Sequence, residues 1–184
     1  MEDFLKKHRE NARIIHNDTN CSYGEEFEYV YHLDMVVNNV IKYRKVFKNL
    51  EDYKMTAIAG FYHDVIEDAQ QSFNNVKDVT DIDIARVVLA VTDVNEENRL
   101  MRHLMTMGKT VKNYRAIILK MSDILANASY SKKNGSSMYK KYVAEYEYRR
   151  PIFKMALKWY AEYLNEDILN DFWAELDEIH DYKG

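Results

Sequence analysis

Residues 61–68 read Phe61-Tyr62-His63-Asp64-Val65-Ile66-Glu67-Asp68. The run sets one imidazole and three carboxylates in two adjacent pairs. On a helix, positions i and i+4 share a face with Cβ atoms about 5–6 Å apart. His63 would then lie under Glu67, and Asp64 under Asp68. The run follows Ala57, Ile58 and Ala59 and contains Phe61, Val65 and Ile66, so its setting is apolar. Carboxylates on a core-facing element are costly to bury unless they are paired or bound to a metal. The stretch therefore asks for a cation.

Working outward, helical patterns fill the chain. Residues 2–17 carry Phe4, Leu5, His8, Ala12 and Ile15 near one face, followed by a polar loop over 17–24. A second amphipathic pattern runs from Tyr29 to Phe47 through Leu33, Val36, Val37, Val40 and Ile41. Asn49 with Asp52 resembles a capping box, predicting a helix that carries the His63 run and ends near Asp68. Residues 70–75 read as a connector. Thr80 with Asp83 predicts the start of a helix through Ile84, Val87, Val88 and Val91. Further helices are expected over 96–107, over 110–128 (Val111, Tyr114, Ile117, Ile118, Met121, Leu125), and two or three over 138–181, with Pro151 in a first helical turn. Lys132–Ser137 reads as a loop. Five glycines and one proline in 184 residues are far fewer than strand-and-turn proteins need. The expected fold class is all-α: one domain over 1–184, with the motif core at about 23–150 and C-terminal helices over 151–181.

Composition narrows the function classes. The formal net charge of −4 argues against duplex nucleic acid as the main partner. Cys21 is the single cysteine, which fits a reducing compartment and excludes an internal disulfide framework. The first residues hold no apolar signal region, and no apolar run approaches the roughly 20 residues that span a bilayer. A cytoplasmic protein without membrane partners is the expectation, and oligomeric state stays open.

Two further segments join the first. His32 stands near a helix start in Tyr29-Val30-Tyr31-His32-Leu33, and Asp123 and Asn127 stand one turn apart in Lys120–Asn127. Helical bundles build metal sites from side chains on facing helices. His32, His63, Asp64 and Asp123 form a mixed nitrogen and oxygen set, better suited to Mn²⁺, Fe²⁺ or Zn²⁺ than to Ca²⁺ or Mg²⁺ alone. Four protein ligands would leave an octahedral ion two positions for water or substrate. Glu67 or Asp68, one turn on, would hold that water or pass its proton. Lys120 reads as an ion-pair partner for a carboxylate. His8, His16, His103 and His180 have no motif partners. Tyr139, Tyr142, Tyr146 and Tyr148 recur at a spacing that usually means packing.

In this order, His32, the His63-Asp64 doublet and Asp123 resemble the H…HD…D signature of the HD-domain metal-dependent phosphohydrolases. His63-Asp64-Val65-Ile66-Glu67-Asp68 is similar to the HD-x-x-ED box of the hydrolase domain in Rel/Spo stringent-response enzymes and their small stand-alone homologues. Leu119–Asn127 resembles that branch's K-x-x-D-R-x-x-N segment. The resemblance implies a helical bundle around one divalent metal, typically Mn²⁺, held by His32, His63, Asp64 and Asp123. It implies Glu67 and Asp68 as the catalytic pair and Asn127 as a nucleotide contact. The implied reaction is removal of the 3′-pyrophosphate of (p)ppGpp by a metal-activated water. Two features depart from the pattern: Ile124 replaces its Arg, and no Arg-Lys pair precedes His32 near Cys21–Gly24. No nucleotide-synthesising domain is expected after residue 184. Phosphate contacts are then expected from Arg99 and Lys140. The alternative activities are a nucleoside 5′-monophosphatase or a cyclic or oligonucleotide phosphodiesterase. A non-catalytic nucleotide-binding module is the alternative of a different kind.

Overall fold

The computed structural model describes residues 2–24 and 27–184. Its helices are α1 (Asp3–Asp18), α2 (Val30–Lys42), α3 (Leu50–Tyr62), α4 (Phe73–Val79), α5 (Ile82–Val91), α6 (Arg99–Thr110), α7 (Tyr114–Lys133), α8 (Met138–Leu157) and α9 (Glu166–Ile179). Short 3₁₀ turns lie at Arg44–Val46 and Lys158–Tyr160. The polar segment before α2 holds a small antiparallel pair, β1 (Ser22–Tyr23) and β2 (Phe27–Glu28), with Ser22 opposite Glu28 and Tyr23 opposite Phe27. The all-α reading holds apart from this pair.

The centre of the bundle is α2, α3 and α7, each packed on the other two, with α5 against α3 and α7. Val36, Val37 and Val40 of α2, Ala57, Ala59 and Phe61 of α3, and Ile117, Ile118 and Met121 of α7 are fully buried there. A Cβ added to Gly60 would lie 2.9 Å from Val37 Cγ2 and 3.6 Å from Leu119 Cδ1, so α2 and α3 meet where α3 has no side chain. Two of these frame helices, α3 and α7, have a side-chain cap at their start. Asn49 accepts from the Glu51 N–H, and Asn113 accepts from the N–H groups of Arg115 and Ala116. Asp52 of α3 accepts from the Tyr114 hydroxyl at 2.8 Å and from the Arg115 guanidinium, tying α3 to α7.

Several expectations are corrected. The helix carrying the His63 run stops at Tyr62, and residues 63–68 form successive turns. The His63 Nδ1 sits 2.9 Å from the Gly60 carbonyl, so the side chain takes a carbonyl that the next helical N–H would have used. Two α-like bonds survive, from the Asp68 N–H to the Asp64 carbonyl at 2.8 Å and from the Ala69 N–H to the Val65 carbonyl at 3.2 Å. The connector expected over 70–75 contains the start of α4, capped reciprocally by Ser72 and Asn75. Asp81 rather than Thr80 caps α5, accepting from the Asp83 and Ile84 N–H groups. The helix placed at 96–107 lies at 99–110, with Asn98 as its cap. The helix expected over 110–128 begins at Tyr114 and runs to Lys133, so the loop after it begins at Asn134. Pro151 lies inside α8, not in a first turn. Arg150 and Tyr146, just before it, both bond Asp177 of α9 at 2.6–2.7 Å, which secures α8 where the missing proline N–H weakens it.

Among the described residues no helix is long and apolar enough to cross a membrane.

Candidate metal centre

Three parts of the fold deliver the predicted ligands. The first turn of α2 carries His32, the turn after α3 carries His63 and Asp64, and the middle of α7 carries Asp123. One ligand atom from each of His32, His63 and Asp123 falls within 4.8 Å of the others, and all three residues are buried. The two imidazole Nε2 atoms are 3.3 Å apart. Asp64 Oδ2 lies 2.9 Å from His63 Nε2 and 3.4 Å from His32 Nε2. Asp123 Oδ1 lies 3.4 Å and 3.7 Å from the same nitrogens.

The donor set fits a divalent cation. A carbonyl only accepts, so His63 Nδ1 carries the proton toward Gly60 O, 2.9 Å away. That tautomer leaves the Nε2 lone pair facing the cluster, the arrangement a metal-ligating histidine needs. The His32 ring is held by a stack on Tyr23 (centroids 4.8 Å apart, 17°) and by the edge of Tyr29. Asp123 is held from both sides: Asn127 Nδ2 donates to Oδ1 at 2.6 Å, and Lys120 Nζ lies 3.0 Å from Oδ2. Burial opposes ionisation of Asp123, but Lys120 and the two imidazoles outweigh it and hold the carboxyl well below the usual carboxylate range. Asp64 is held low against burial by His63 and His32. Two ionised carboxylates and two imidazoles converge from separate elements, which is how a hard or borderline cation is held.

The pair at the rim is unequal. Burial pushes the Glu67 carboxyl up to about 7, with Asp64 adding to the rise and Lys120 and the Asp93 N–H opposing it. That N–H donates to Glu67 Oε1 at 2.5 Å and fixes the side chain against the segment after α5. Asp68 is raised by burial, while a hydrogen bond from Tyr29 pulls it down. The Tyr29 hydroxyl is 2.7 Å from Asp64 Oδ2 and 2.7 Å from Asp68 Oδ2. Burial, with both carboxylates beside it, pushes that hydroxyl far above its usual range, so it stays a donor.

The remaining predicted residues are placed less centrally. Asn127 joins the cluster through Asp123 and accepts from the Tyr23 hydroxyl at 3.0 Å. Arg99 Nε binds Glu145 Oε1 at 2.6 Å, and Arg149 Nη2 lies 3.2 Å from Glu145 Oε2, so Arg99 is already engaged by a buried carboxylate. Lys140 is exposed on α8, and no hydrogen bond or ion pair among the described residues brings it to the cluster. Lys120 is the expected ion-pair partner. Of the four tyrosines after the loop, Tyr146 binds Asp177, Tyr139 binds the Ile179 carbonyl and Tyr148 lies 2.8 Å from His103 Nδ1, all of them packing roles. Sequence reasoning missed Tyr23 and Tyr29. Tyr29 stands three residues before His32, the helical spacing that puts it beside the ligand, and this was the signal available.

Fold and site together define the class, a helical bundle that holds a two-histidine, two-aspartate cluster. A solved structure of a metazoan ortholog of SpoT, described as hydrolyzing ppGpp and playing a role in starvation responses, aligns over 100% of this chain and 97% of its own, with a TM-score of 0.69 and 19% identity. That likeness is one of fold. A curated relative, the guanosine-3′,5′-bis(diphosphate) 3′-pyrophosphohydrolase of Spiroplasma citri, is 37% identical over 79 residues, covering 39% of this chain and 10% of the relative. No family model matches the chain.

Proposed function

We propose that this chain is a metal-dependent pyrophosphohydrolase of (p)ppGpp-type nucleotides. The observation that carries the reading is the convergence of His32, His63, Asp64 and Asp123 within 2.9–3.7 Å across nitrogen–oxygen pairs, with Glu67 and Asp68 at its rim. The similarity to the Spiroplasma hydrolase supports the substrate class. The four residues would hold a divalent ion, Mn²⁺ being the proposed one, which supplies charge stabilisation at phosphate and lowers the pKa of water.

In the reaction, water adds to the phosphorus bonded to the 3′ oxygen, the P–O3′ bond breaks, and the 3′ oxygen takes up a proton. The products are GDP and pyrophosphate when the substrate is ppGpp. Glu67, poised near neutrality, is the group to handle the water's proton, because proton transfer is most effective near the operating pH. Asp68 orients water from the other side. Asn127, Arg99 and Lys140 are the proposed nucleotide contacts. Arg99 would reach phosphate by releasing Glu145, exchanging one charge-assisted pair for another. The reading includes a small nucleotide as ligand and a cytoplasmic location.

The test is a panel of ppGpp, nucleoside monophosphates and cyclic nucleotides incubated with Mn²⁺. Conversion of ppGpp to GDP and pyrophosphate is expected, with Glu67→Gln lowering kcat by about 10²–10⁴ and Asp64→Ala losing turnover with the metal. Cleavage of monophosphates alone would replace the substrate assignment. Equal turnover by both variants would remove the catalytic one.

A further inference from the structure

Tyr29 is outside the predicted ligand and catalytic sets, yet its hydroxyl touches a member of each. It stands 2.7 Å from Asp64 Oδ2, the oxygen that also faces both imidazoles, and 2.7 Å from Asp68 Oδ2. Its ring is braced on three sides. His16 stacks on it (centroids 4.3 Å apart, 15°), Tyr23 meets it edge-on at 6.3 Å, and His32 meets it at 5.7 Å and 74°. His16 is fully buried and neither of its ring nitrogens has a hydrogen-bond partner among the described residues, so it serves as an aromatic floor. Cys21, just before β1, adds a bond from Sγ to the Asp68 carbonyl at 3.1 Å. Two like charges four residues apart repel, and nothing else among the described residues bonds both side chains. The hydroxyl of a braced ring shares its one hydrogen between the two carboxylates and so links Asp68 to the Asp64 oxygen that faces the imidazoles.

From this we infer that Tyr29 is the positioning residue of the site: its hydroxyl presets Asp64 for the metal and Asp68 for the reaction. The inference rests on the metal reading of the cluster but on no particular nucleotide. Hydrogen-bond partners of ligating carboxylates commonly change metal affinity by about 10–100-fold.

The test uses Tyr29→Phe, which keeps the ring and its stack on His16 while removing the oxygen. Mn²⁺ affinity is measured calorimetrically on the whole chain without nucleotide, alongside thermal melting of the metal-free protein. The expected result is affinity weakened about 10–100-fold with the metal-free melting point little changed. At saturating Mn²⁺, kcat for ppGpp falls while KM is nearly constant, because Asp68 has lost its orientation. Wild-type Mn²⁺ affinity in Tyr29→Phe overturns the inference and leaves the proposed function standing. A lower melting point with unchanged Mn²⁺ affinity also overturns it, since Tyr29 would then be packing alone. Absence of Mn²⁺ binding by the wild-type chain overturns both readings.

Discussion

At the scale of residues, the protein holds several imidazoles that behave differently because of what surrounds them. His32 and His63 face carboxylates, whereas His16 and His103 are buried with little to stabilise a charge. Burial pushes both His16 and His103 down to about 4 from an ordinary value of 6.5. The sign follows from proton linkage: below 6.5 the unfolded chain takes up protons that the folded chain refuses until about 4. Stability contributed by these groups is complete above that ordinary value and is lost as pH falls through the interval. His16→Phe keeps the stack on Tyr29 and removes two buried nitrogens that have no partner among the described residues. Urea unfolding at pH 7.5 should show the variant equal to or more stable than wild type, and its loss of stability between pH 6.5 and 5 should be shallower. An identical acid slope in the two proteins would show that His16 does not titrate as its burial implies. The four residues of the cluster, the proposed metal ligands, were legible in the sequence because residue type and order single them out. Tyr29 was harder to read because a tyrosine before a helix has many ordinary uses, and only the fold shows both carboxylates at its hydroxyl.

At the scale of elements, the site depends on how closely three helices approach. Gly60 lets α2 and α3 meet: its missing Cβ would stand 2.9 Å from a valine methyl that has little freedom to move. Its carbonyl also fixes the His63 tautomer. Gly60→Ala should cost about 1–3 kcal/mol by overpacking, and it should weaken metal binding because α2 carries His32 and the end of α3 carries His63. Chemical denaturation and Mn²⁺ titration of the same variant check both halves, and a fully stable Gly60→Ala with wild-type affinity would refute the close-approach argument. The long amphipathic helices were legible from their periodicity. The elements that were misread are local contests. Helix α4 is seven residues long, and its Ser72–Asn75 capping box looks like loop composition. The end of α3 is set by the His63 side chain competing for a carbonyl. Helix α8 passes through Pro151, and Asp177 on the next helix, α9, holds the turn before it.

At the scale of the molecule, the architecture brings chain segments far apart in sequence to one point. His32 and Asp123 are separated by most of the core, yet their side-chain atoms approach within 3.4 Å. Asp52 with Arg115 and Tyr114 ties α3 to the start of α7, and Asp177 with Arg150 and Tyr146 ties α9 to α8. The helical bundle was legible from periodicity and the order of the proposed ligands, and the identity of the proposed nucleotide was not, since Ile124 and the Cys21–Gly24 segment depart from the resembled pattern that reads guanosine. The central claim is that the convergent cluster is a metal centre. Calorimetric titration of the chelator-stripped chain with Mn²⁺ tests it most directly. One ion bound per chain, with binding abolished in Asp123→Ala, is the predicted result. Absence of stoichiometric binding, or equal binding by Asp123→Ala, would contradict it.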